Sequence, residues 1–140
     1  MLFRRKDDDV EYPAKYSAED RFFAGMLGLF GHGNIGGVSD ASQEAGPAFP
    51  YYLGRNEQAM VDAAVAFAKL KYRRQAFGCP TSIEPGATNV VTAVATATVN
   101  WIPVLLLCGD SFAERVHDPV LQQVGCEHAG DVTANARSAR

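Results

Sequence analysis

Cys79-Pro80-Thr81-Ser82-Ile83-Glu84-Pro85-Gly86-Ala87-Thr88-Asn89 runs into a stretch of small residues and then into Ile102-Pro103-Val104-Leu105-Leu106-Leu107-Cys108. A strand, a turn of Ser, Thr, Pro and Gly, a helix and a second apolar strand follow in that order. Two parallel strands cannot be joined by a tight hairpin, so this stretch reads as one parallel crossover unit. In an open parallel sheet ligands gather beyond the carboxyl ends of the strands, and residues 81–86 stand at such an end.

The helix expected over residues 85–100 carries Ala87, Val90, Val91, Val94, Ala95, Ala97 and Thr98 and almost no charge. A helix without a charged face must be covered nearly all round, by its own chain's core or by a second helix or subunit. Residues 102–108 form a continuous apolar run, expected at a central parallel position.

Upstream, Asn56 is a good cap for a helix over residues 57–72, with Met60, Val61, Ala64, Phe67, Ala68 and Lys71 near one face. Lys69, Lys71, Arg73 and Arg74 collect at its end, where the helix dipole favours cations and water solvates them. Residues 76–79 read as a strand, 26–30 as another, and 51–53 as a brief third. A short helix is expected over 38–45, capped by Ser39 and ended by Gly46-Pro47. Between them Gly31-His32-Gly33-Asn34-Ile35-Gly36-Gly37 lets backbone come close to a ligand; it is not taken as a dinucleotide site. The fold class is therefore α/β, a three-layer sandwich with a parallel sheet of about four strands. Residues 1–21 read as a lead-in, 22–124 as the domain and 125–140 as an irregular tail, with a short helix opening at Asp118-Pro119.

A chain of 140 residues makes one domain and can bury a core without staples. Its net charge of -3 supplies no basic face for nucleic acid or an anionic membrane, so neither is expected as a partner. Cys79, Cys108 and Cys126 are odd in number and form no close pair, which points to buried reduced thiols and a cytoplasmic protein. Asp7-Asp8-Asp9 stands where a signal peptide needs an apolar stretch, and no run approaches the roughly 18 apolar residues of a membrane span.

Several motifs in fixed order carry a resemblance. Arg55-Asn56-Glu57-Gln58-Ala59-Met60, then residues 81–89 and 102–107, resemble the pyrimidine-binding domain of thiamine-diphosphate enzymes of the acetolactate synthase type. Phe30-Gly31-His32-Gly33-Asn34 and Asp118-Pro119-Val120-Leu121-Gln122-Gln123 narrow the likeness to a branch that opens cyclic diones in inositol catabolism. The resemblance implies thiamine diphosphate and Mg2+ as cofactors of the full-length family, and a site completed across a homodimer or by a partner bearing a diphosphate domain. It also implies a domain truncated at both ends and, lacking the diphosphate half, inactive alone.

Residue by residue, the resemblance makes Glu57 the carboxyl that meets a ring nitrogen of the aminopyrimidine and thereby promotes proton loss from the thiazolium carbon. A protonated carboxyl can serve so, and apolar surroundings favour that form. The ordinary alternative is a first-turn glutamate attracted by the helix dipole. Asn34, Pro85, Gly86 and Asn89 are implied to shape the cofactor's surroundings, and His32 is a candidate proton carrier. Where the family has glycine this chain has Glu84, which either strains a left-handed backbone position or obstructs the site. No metal site is assigned: His117, Cys126 and His128 lack zinc spacing, and Gly109-Asp110-Ser111 lacks the last glycine of a diphosphate motif. A non-catalytic interaction module and a non-functional remnant remain open beside the enzyme reading.

Overall fold

The computed structural model describes residues 21–31, 35–110 and 122. The expectations for residues 1–20, for His32, Asn34, His117, Cys126 and His128, for the helix at Asp118 and for the tail over 125–140 lie outside the described residues.

Four strands form one parallel sheet: β1 Phe23–Gly28, β2 Tyr51–Leu53, β3 Ala76–Thr81 and β4 Leu105–Cys108, in the order β2-β1-β3-β4. Met26 pairs with Tyr51, and Gly78 to Thr81 pair in step with Leu105 to Cys108. β3 runs through Pro80 and Thr81, two residues past the expected end at Cys79. Proline is tolerated there because β1 is ending: Pro80 O accepts from Leu29 N at 3.1 Å, while Gly28 O takes Gly54 N at 3.1 Å and Tyr51 Oη at 2.7 Å.

The helices are a short α1, Asp40–Ala45, then α2, Glu57–Leu70, α3, Pro85–Asn89, and α4, Val91–Val99. Asn56 caps α2 as expected, its Oδ1 accepting from Ala59 N at 2.9 Å. The buried stripe of α2 is Met60, Val61, Ala64, Val65 and Ala68; Lys71 lies past the helix end, exposed, instead of on that stripe. Tyr72 and Arg73 then turn left-handed at φ 53° and 61°, and the Arg73 side chain donates to the carbonyls of Trp101 and Asn100. The basic cluster is thus exposed, and one of its members ties the end of α2 to the end of α4.

Val61, Ala64, Val65 and Ala68 of α2 meet Ala93 and Ala97 of α4 above Cys79, with Val90 and Ile102 completing the core. The connection from β1 to β2 runs along the sheet opposite to the other two, so right-handed crossovers put α1 on the other face. That ordering is the expected three-layer sandwich.

Other expectations change. Ser39 does not cap α1: its backbone is helical (φ -65°, ψ -47°), it makes no side-chain cap bond, and a π-helical turn, Ile35–Ser39, leads into the helix. The single helix over 85–100 is broken at Val90. The β-branched run Val90-Val91-Thr92 is a poor helix former, and the Thr88 hydroxyl bonds back to Glu84 O and Pro85 O. Nor is α4 covered all round, since Val91 and Val99 are 49% and 78% exposed. Finally, the run 102–108 is a strand only from Leu105, and among the described residues β4 is an edge of the sheet, with Leu105 exposed.

Candidate functional site

β3 delivers the chain to a bend at its carboxyl end. Thr81 is fully buried, and its carbonyl accepts from Gly109 N at 2.9 Å, so the bend is anchored to the end of β4. Gly109-Asp110 therefore follows directly on the end of β4. Beyond Ser82 and the buried Ile83, Gly86 N donates to Ile83 O at 3.2 Å and Thr88 N to Glu84 O at 2.8 Å, which turns the chain into α3. Pro85 opens that helix, where a missing N–H costs nothing.

Glu84 adopts φ 44° and ψ -89°, a left-handed position that disfavours a side chain. Its side chain is buried and does not line the cleft described next. Of the two expectations for this residue the strained backbone is the one realised, and the obstructed site is not.

An open cleft of about 460 Å³ lies in front of the bend, lined by Glu57, Ser82, Pro85, Gly86, Thr88, Asn89 and Gln122. Glu57 reaches it from the first turn of α2, and Oε2 accepts from Asn89 Nδ2 at 2.8 Å. Gly86 faces the same carboxyl: an added Cβ would stand 3.2 Å from Glu57 Oε1 and would collide with Ser82 Oγ. Ser82 is held from the other side by Gly31, whose added Cβ would come within 2.9 Å of Ser82 Cα. Glycine at both positions is thus a steric requirement of the bend.

Four of the five residues implied to bind the cofactor, Glu57, Pro85, Gly86 and Asn89, come together in this cleft. The fifth, Asn34, lies outside the described residues. Ser82, Thr88 and Gln122 were not singled out. All three sit within quoted stretches, Gln122 in the motif over residues 118–123, but only the fold turns them to the cleft. The spacing Gly31, Gly33, Gly36 does match the dinucleotide fingerprint. What sets it apart is the sequel, a π turn and a six-residue helix in place of the long helix whose start binds a pyrophosphate.

An aminopyrimidine is a flat ring with polar atoms on one edge. The open cleft lined by Pro85, Gly86 and Thr88 can take such a ring, and the Glu57 carboxyl beside Gly86 can accept or donate a hydrogen bond. The residues present fit that half of thiamine diphosphate. Among the described residues no group of three or more His, Cys, Asp or Glu could hold a metal ion. No helix of these residues is long and apolar enough to cross a membrane.

Two groups outside the cleft have shifted acidities. Burial, with the neighbouring Cys108 thiol adding to it, pushes the Cys79 thiol up to about 12. Burial also raises the Tyr51 phenol, against a lowering backbone hydrogen bond at Phe30. Cys79 and Cys108 are both free thiols; Cys79 is buried as expected, while Cys108 is only half-buried.

Comparison with known proteins agrees with this geometry. The family model described as "Thiamine pyrophosphate enzyme, N-terminal TPP binding domain" matches residues 26–131. The chain is 46% identical over 126 residues to the 3D-(3,5/4)-trihydroxycyclohexane-1,2-dione hydrolase of Bacillus thuringiensis (strain Al Hakam), covering 90% of this chain and 19% of that protein. It is 48% identical over 130 residues to the hydrolase of the same name from Geobacillus thermodenitrificans (strain NG80-2), covering 93% and 20%. The chain thus spans about a fifth of the length of the curated relatives it matches. A parallel sheet with a glycine-lined cleft at its carboxyl end, a family match over most of its length and close relatives agree: the chain belongs to the thiamine pyrophosphate enzymes and carries their N-terminal TPP-binding domain.

Proposed function

We propose that this chain is the pyrimidine-binding part of a thiamine-diphosphate-dependent hydrolase that cleaves a carbon–carbon bond in a cyclic dione of inositol catabolism, in the cytoplasm. The observation that carries the reading is the Glu57 carboxyl held against the side-chain-free backbone of Gly86 in an open cleft. The names of the relatives supply the substrate class, and the free thiols of Cys79 and Cys108 support a reducing compartment.

When bound, thiamine diphosphate supplies the carbon nucleophile and electron sink that carbon–carbon cleavage needs. Glu57 would share a proton with the ring edge. Pro85, Gly86 and Thr88 would border the ring, and Ser82 holds the bend in shape between two glycines. The magnesium and diphosphate contacts come from polypeptide outside the described residues. A pyrimidine half-site alone offers too few contacts to hold a mobile cofactor tightly.

Calorimetry of the 140-residue chain with thiamine diphosphate and Mg2+ is expected to show weak binding and no turnover; micromolar affinity for the isolated chain contradicts this reading. With a diphosphate-domain polypeptide added, deuterium exchange at the thiazolium carbon is expected, and Glu57→Gln abolishes it while leaving the fold intact. Unchanged exchange in that variant removes Glu57 from the role. A non-catalytic interaction module is the second reading, favoured by the exposure of Val99, Trp101 and Leu105 beside an apolar groove between α4 and β4.

A further inference from the structure

We infer that Asn89 is a positioning residue for Glu57, not a contact to the cofactor. The inference rests on the reading of the cleft as a pyrimidine site, which it deepens by saying what aims the carboxyl.

A glutamate side chain has several free rotations, and its oxygens reach a fixed point only if something holds them. At Glu57 the backbone is set by the Asn56 cap, whose side chain accepts from Ala59 N at 2.9 Å. Among the described residues the carboxyl itself is held by the bond from Asn89 Nδ2 to Oε2 at 2.8 Å, joining residues 32 apart in sequence. That bond spans from the start of α2 to the last residue of α3. It leaves Oε1 on the side of Gly86, 3.2 Å from where a Cβ would stand. One oxygen is thereby tethered and the other faces the place where the backbone is bare.

The turn between the two helices brings Asn89 there. Asn89 is the last residue of α3, immediately before the break at Val90, and Ala93 and Ala97 of α4 beyond it are buried against α2.

The chemistry of the partner matters as much as its place. A side-chain amide donates a hydrogen bond without carrying charge or titrating. A lysine or arginine there would hold the carboxyl ionised. An amide fixes the orientation and leaves the other oxygen able to take up and release a proton, which is what a group sharing a proton with a ring edge requires.

The test uses the full 140-residue chain and four proteins: wild type, Glu57→Gln, Asn89→Leu and the double variant. In the ligand-free chain, the Asn89 side-chain amide resonances are expected to move in Glu57→Gln; resonances that stay in place overturn the pairing. Thiamine diphosphate with Mg2+ is then titrated and followed by NMR. If Asn89 acts through Glu57, Asn89→Leu weakens binding by about tenfold alone and by less than about twofold on top of Glu57→Gln. Equal losses in both backgrounds would make Asn89 an independent cofactor contact and overturn the inference. With a diphosphate-domain polypeptide added, a wild-type chain that still leaves the cofactor unbound defeats the pyrimidine-site reading instead, and the amide resonances still decide the pairing. Equal melting temperatures for wild type and Asn89→Leu separate positioning from a general loss of fold.

Discussion

Glu84 holds φ 44° with its side chain buried, a combination that costs an L residue about 1–3 kcal/mol in backbone strain. Glycine would relieve the strain and add back about 0.5–1 kcal/mol through the entropy of the unfolded chain. Glu84→Gly is therefore expected to stabilise the protein by about 1 kcal/mol, raising the melting temperature by a few degrees. A lower melting temperature would show that the buried side chain contributes more than its backbone costs. The sequence marked this residue because a glycine is expected in its place. Whether it strained the chain or blocked the cleft depended on where the side chain went, which no local pattern encodes. Glu57 shows the same division: its cap and helix start were legible, while the amide that holds it comes from 32 residues away.

At the scale of elements, α2 was readable nearly to its ends because a capping residue and a periodic apolar stripe agree. Asn56→Ala removes the bond to Ala59 N and is expected to cost about 1 kcal/mol, with Asn56→Gly costing only a few tenths. Urea denaturation of the two variants checks both values; an Asn56→Ala protein as stable as wild type would mean that the cap bond contributes nothing. The stretch 85–100 was less legible. An uncharged helix suggested cover on every side, yet its exposed flank carries Thr92 and Thr96 as well as Val91 and Val99. Thr96 and Thr98 bond back to carbonyls four residues earlier, so hydroxyls serve here in place of charge. Composition alone could not distinguish such a flank from an interface.

For the whole molecule, the packing of α2 and α4 over β3 leaves its record in Cys79. The folded thiol is pushed up to about 12 from an ordinary value of 9.0, so above pH 9.0 the unfolded chain binds fewer protons than the folded one. Stability contributed by this group is fully present below pH 9.0 and lost as pH rises toward about 12, with a limiting slope of about 1.4 kcal/mol per pH unit. Urea midpoints measured from pH 8 to pH 11 are expected to fall in wild type and to fall less steeply in Cys79→Ala. Identical slopes would show that the thiol ionises as readily in the folded protein as in the unfolded one.

The sequence by itself determined the layer order, the parallel sheet and the bend at the end of β3, because apolar runs, helix caps and proline-glycine turns act within a few residues of themselves. It also named most of the cleft through motifs in fixed order. The tertiary structure alone decided that the run after Ile102 forms an edge strand among the described residues, that the helix breaks at Val90, and that Glu57 and Asn89 meet. Those outcomes depend on which surfaces come together once the chain has closed, and contacts between distant residues leave no period in the sequence that joins them.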